Sequence, residues 1–120
     1  WFADDAPELS VHARSLILDA SVSIAVSMAS FWEISIKNSL GKLRLDAGFE
    51  DLLDVAKTNW SDILPINFDH TTLVNKPPLH HRDPFDRMII AQAIVENMDI
   101  IGKDTDFDNY LIGTPTKRIW

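Results

Sequence analysis

The run Asp83-Pro84-Phe85-Asp86-Arg87-Met88-Ile89-Ile90-Ala91-Gln92-Ala93 constrains this chain more than any other part, because it sets two carboxylates at the mouth of an apolar helix. Asp83 suits the N-cap, Pro84 the first helical position and Asp86 the acid of a capping box, so a helix is expected over 84–97. A short apolar strand is expected over 99–102, followed by a second acidic island, Lys103-Asp104-Thr105-Asp106-Phe107. Glu33 sits alone among the apolar residues of Phe31-Trp32-Glu33-Ile34. Three separated segments thus offer carboxylates to one possible cleft.

Upstream, the spacing predicts a helix over 9–20, a strand over 23–28 and a helix over 29–40 that Gly41 ends. A further helix is expected over 49–60, a strand over 63–68, and a short helix over 69–76 that Pro77 and Pro78 terminate. Residues 117–120 are expected to add an edge strand. Strands alternating with helices argue for an α/β fold with a mainly parallel sheet, and such sheets bind ligands at the carboxyl ends of their strands. Glu33 follows the strand over 23–28, and Asp104 follows that over 99–102, so both obey this rule. A chain of 120 residues with 46% hydrophobic content fits one compact domain.

The net charge of −7 argues against holding nucleic acid through a general basic surface. A polyanionic substrate would need bound cations or a local basic rim, for which Arg82, Arg87 and Lys103 flank the acidic segments. The chain has no cysteine, which excludes disulfides, thiolate zinc sites and cysteine nucleophiles and fits a reducing compartment; the cytoplasm is the expected location. No apolar run approaches the roughly 18 residues of a membrane span, so no membrane partner is expected.

Each acid also has a purely structural reading. Asp83 reads as a cap, Asp86 as a capping-box acid, and Glu33 as the partner of Lys37 four residues on. Asp104-Thr105-Asp106 opens like a calcium loop, but Asn109 and Pro115 stand where that loop needs glycine and glutamate. His80 and His81 lack a metal-binding helical spacing. There is no serine elbow or glycine-rich nucleotide loop.

Taken in order, Ser27-Met28-Ala29-Ser30-Phe31-Trp32-Glu33-Ile34, Leu40-Gly41-Lys42-Leu43, Pro77-Pro78-Leu79-His80 with Arg82-Asp83-Pro84-Phe85-Asp86-Arg87, and Gly102-Lys103-Asp104-Thr105-Asp106-Phe107 resemble the PIN-domain VapC toxins over nearly the whole chain. The resemblance implies a three-layer α/β fold and an Mg²⁺- or Mn²⁺-dependent endoribonuclease, with a VapB-type antitoxin and a second copy of the chain as partners. It assigns Glu33, Asp86 and Asp104 as catalytic metal ligands, Asp106 as a further ligand, and Asp83 and Ser30 as accessory residues. Arg87 matches a basic position beside the cleft, and Arg82 and Lys103 are further candidate RNA contacts. The implied chemistry is in-line attack of water on a phosphodiester at one or two ions, without a covalent intermediate.

The resembled family opens with a strand ending in an aspartate, and Trp1-Phe2-Ala3-Asp4-Asp5 corresponds to the segment just after that strand. The expectation is therefore a single PIN-like domain over 1–120, truncated at its N-terminus. The rival expectation is a catalytically inactive PIN-like binding domain that keeps its antitoxin or dimer contacts.

Overall fold

The computed structural model describes residues 10–45, 48–59, 62–76 and 83–120. Helix α1 (Val11–Leu18) is capped by Ser10, whose hydroxyl accepts the Ala13 N–H at 3.0 Å. Strand β1 (Ala25–Ser27) leads directly into α2 (Met28–Ser39), because the Ser27 hydroxyl accepts the Ala29 N–H and caps the helix. The strand expected over 23–28 ends one residue early at that cap, and its pairing with β2 begins only at Ala25. Gly41, at φ 73°, takes the left-handed conformation that ends the helix without steric cost.

A 3₁₀ turn (Phe49–Asp51) precedes α3 (Leu52–Asn59), so the helix expected over 49–60 starts with a tighter turn. Strand β2 (Asp62–Leu64) is shorter than the expected 63–68, and Phe68 belongs instead to α4 (Phe68–Val74). The reason is local. Pro65 brings no N–H to a ladder, and Asn67 and His70 form a reciprocal capping box that starts a helix. The terminators Pro77 and Pro78, together with His80, His81 and Arg82, lie outside the described residues.

Helix α5 (Pro84–Glu96) agrees closely with the sequence: Asp83 caps it, and Asn97, at φ 55°, closes it. Strand β3 (Ile100–Ile101), a 3₁₀ turn (Thr105–Phe107), α6 (Asp108–Leu111) and β4 (Arg118–Ile119) complete the order. β1 pairs in parallel with β2, and β3 in parallel with β4, giving two separate two-stranded sheets among the described residues. The parallel direction agrees with the sequence; the separation of the two pairs was not expected.

The core gathers on α5. Ile90, Ala91 and Ala93 pack with Ile100, Phe107 and Leu111, and Leu73 and Val74 of α4 close one side. α5 also packs on α2 and α6. Burying residues 90 to 93 in succession puts every side of this helix segment into protein.

Candidate active site

The two strand pairs border a common cavity of about 450 Å³, with Ala25 and Val26 on one wall and Ile100 and Ile101 on the other. Its polar end is built by the chain segments that leave β1 and β3, and by the start of α5. Ser30 and Glu33 come from α2, Asp83 and Asp86 from the N-terminus of α5, and Lys103 and Asp104 from the turn after β3. Acids from three separate segments therefore open onto one space, as the sequence predicts. The N-terminal ends of α2 and α5 contribute Ser27, Ser30, Asp83 and Asp86 to the same wall, and helix N-termini favour negative charge.

Glu33, Asp83 and Asp104 each also have a local partner. Glu33 Oε2 accepts from Lys37 Nζ at 2.6 Å. That bond holds the Lys37 ammonium above its ordinary pKa, against the opposing effect of burial, and the charges of Glu33, Asp83 and Asp86 add to it. Asp83 Oδ1 accepts the N–H of Phe85 at 2.9 Å and of Asp86 at 3.3 Å. Asp104 Oδ1 accepts the Asp106 N–H at 2.9 Å. The structural and the functional readings are thus compatible for Glu33, Asp83 and Asp104, each of which serves its own element and lies in the cavity wall.

Ser30 is buried in the cavity wall. Asp106 is exposed on the 3₁₀ turn, and the structure does not bring it to the cavity wall with the other acids. Arg87 also lies outside the wall; its Nε is buried without a hydrogen-bond partner among the described residues. Lys103 reaches the wall and is exposed. Arg82 lies outside the described residues.

Two polar residues of the frame escaped the sequence reading. Gln92 is fully buried in α5; its Nε2 donates to the carbonyls of Leu64 at 3.3 Å and Pro65 at 3.2 Å, and its Oε1 accepts from the Ser27 hydroxyl. It ties α5 to the carboxyl ends of β1 and β2. His70, also fully buried, accepts the Asn67 N–H at Nδ1 (3.0 Å), so Nε2 carries the ring proton toward Glu96 at 2.8 Å. A lone Gln inside the apolar run 88–94 was the one available signal for the first.

The cavity acids offer oxygen donors only, with no imidazole or thiolate among the described wall residues. That chemistry suits a hard divalent cation. Among the described residues no group of three acids or histidines stands close enough to hold an ion.

This mixed α/β chain with short parallel strands brings Glu33, Asp86 and Asp104 to one cavity, as carboxylates of the kind that meet a hard cation. The PIN domain family model matches residues 1–111, and the chain belongs to that family. PIN domains are in general metal-dependent nucleases, which act on RNA. No curated protein and no solved structure matches the chain.

Proposed function

We propose that this chain is a metal-dependent endoribonuclease toxin of the VapC type, one domain over 1–120, acting in the cytoplasm. The observation that carries the reading is the convergence of Glu33, Asp86 and Asp104 from three segments on one cavity. Asp83 and Ser30 support these acids from the same wall, and Asp106 joins them only if the turn after β3 shifts. A bound Mg²⁺ or Mn²⁺ would supply charge neutralisation and a more acidic water for attack on the phosphodiester.

The protein's own part is to orient. Glu33, Asp86 and Asp104 hold the ion and align the attacking water, while Lys103, Arg87 and Arg82 draw the RNA phosphates to an otherwise acidic surface. Two further features bear on partners and location. Along α2, Met28, Trp32, Ile36 and Leu40 recur every four residues and remain exposed, an apolar ridge of the kind that meets another protein, here a VapB-type antitoxin or a second copy. Among the described residues no helix is long and apolar enough to cross a membrane.

The test is cleavage of single-stranded RNA with and without Mg²⁺ or Mn²⁺. Activity that chelator abolishes, and that Glu33→Gln, Asp86→Asn and Asp104→Asn each reduce, is expected; cleavage indifferent to chelator and to all three sinks the mechanism. The absence of a three-acid cluster among the described residues favours a second reading, a PIN-like binding domain without catalysis. A folded chain that takes up no Mn²⁺ in calorimetry but still binds an antitoxin would establish that reading instead.

A further inference from the structure

Asp104 stands in the turn between β3 and α6, and two consecutive residues of β4 grip the start of that turn. The Ile119 carbonyl accepts the Gly102 N–H at 3.0 Å, and Arg118 Nη1 donates to the Gly102 carbonyl at 3.0 Å. The same guanidinium reaches α6: Nε donates to Asp108 Oδ1 at 2.8 Å and Nη2 to Asp108 Oδ2 at 3.2 Å. One side chain thereby joins the two ends of the segment that carries the acid.

Inside the segment the geometry is tight. The Asp106 N–H goes to Asp104 Oδ1, the Phe107 N–H returns to the Asp104 carbonyl at 3.3 Å, and Phe107 is buried in the core. The β3–β4 ladder pairs only Ile100 with Arg118 and Ile101 with Ile119, so the ladder alone gives the turn a short foundation. A planar guanidinium can serve a carboxylate with two parallel bonds and a carbonyl with a third, whereas a lysine ammonium is a single point on a flexible stem. The Arg118 side chain is 16% exposed while Asp108 is 53% exposed, so the fork lies against the protein and the carboxylate is held at its outer edge. The bond to Arg118 keeps the Asp108 carboxyl below its ordinary pKa.

We propose that Arg118 is a positioning residue for Asp104: by bridging Gly102 and Asp108 it fixes the turn so that the Asp104 carboxylate stays at the cavity. This rests on the reading of Asp104 as a metal ligand. Arg118 is outside the cavity wall, and its guanidinium also feels the Asp104 charge; a lysine keeps that charge, so a loss in Arg118→Lys reads the shape of the turn.

The experiment compares the 120-residue chain with Arg118→Lys, Arg118→Gln and Asp108→Asn. It reads Mn²⁺ affinity by calorimetry, amide exchange at Asp106, thermal unfolding, and kcat against KM for RNA. In Arg118→Lys, Mn²⁺ affinity and kcat are expected to fall about tenfold, the scale of losing a partner that orients a ligand. KM and the unfolding midpoint are expected to hold, and exchange at Asp106 to quicken. Asp108→Asn should move the same readouts, and combining it with Arg118→Lys should add little. Unchanged Mn²⁺ affinity and unchanged Asp106 exchange in Arg118→Lys would overturn the proposal, as would losses in Arg118→Gln that only track a lowered unfolding midpoint. A wild-type chain that neither binds Mn²⁺ nor cleaves RNA overturns the functional reading; Asp106 exchange then still decides whether Arg118 holds the turn.

Discussion

Helices α2 and α5 both bring an acid to the cavity, yet they are embedded in opposite ways. α5 is buried on every side at residues 90 to 93 and carries Asp86 in its first turn, beside the Asp83 cap. α2 buries Ala29, Ser30 and Ile34 on one side and leaves Met28, Trp32, Ile36 and Leu40 exposed on the other. One helix is therefore a frame whose changes register as stability, and the other is a wall whose changes register at the site. Where the two meet, the Trp32 ring stands edge-on to Phe85, with centroids 5.0 Å apart and planes at 82°.

The contrast is broken most severely by Gln92→Glu. The new side chain has nearly the same shape, but its carboxylate would face the Leu64 and Pro65 carbonyls with no proton to give. A loss of about 3–5 kcal/mol at neutral pH is expected in urea unfolding, the cost of an uncompensated buried charge. Burial and the two carbonyls raise the folded pKa of the introduced carboxyl above its unfolded value. The penalty is therefore complete above that folded pKa and fades as pH falls toward about 4.3, the unfolded value, where the protonated acid again donates.

Ile90→Ala removes a fully buried side chain from the core of α5 and should cost about 2–5 kcal/mol in the same measurement. If it costs under about 0.5 kcal/mol, the level of an ordinary surface change, α5 is not the frame. Glu33→Gln on α2 should behave the other way, with RNA cleavage reduced about 10²-fold, the scale of one preorganised electrostatic group, and stability within about 0.5 kcal/mol of the parent. Trp32→Ala sharpens the boundary, since it loses an aromatic pair worth about 0.5–1.5 kcal/mol while leaving the exposed ridge smaller.

The smallest effect is Lys37→Gln. The exposed pair with Glu33 is worth about 0.2–0.5 kcal/mol, with solvent screening holding it at that level. Because Lys37 is raised above its ordinary 10.5 in the folded protein, the contribution is complete below 10.5 and disappears as pH climbs through the raised value. The difference between parent and variant should therefore close in alkali and persist at neutral pH.

Much of this arrangement was legible because it is local. Asp83 as cap, Pro84 in the first turn and the long apolar helix come from adjacent residues, and so does the pairing of Glu33 with Lys37. The shared cavity came from the rule that ligands gather at the carboxyl ends of parallel strands, applied to Glu33 and Asp104. The features that escaped depend on partners far along the chain. Gln92 bonds main-chain carbonyls 28 and 27 positions away, and carbonyls have no residue identity to read. His70 meets Glu96 across 26 positions. β3 and β4 have two residues each, too few for any alternation to show, and Arg118 therefore drew no notice.

The amide of Gln92 has a consequence for how the cavity responds to its surroundings. It joins α5 to the ends of β1 and β2 and lies in the cavity wall itself, a few residues from acids gathered to meet a cation. An amide does not titrate, and this one already spends its oxygen on Ser27 and its N–H groups on Leu64 and Pro65. Acidification, added salt or the arrival of metal can therefore reset the charged rim without loosening the joint beneath it: the hinge pin is made of a material that the weather does not corrode.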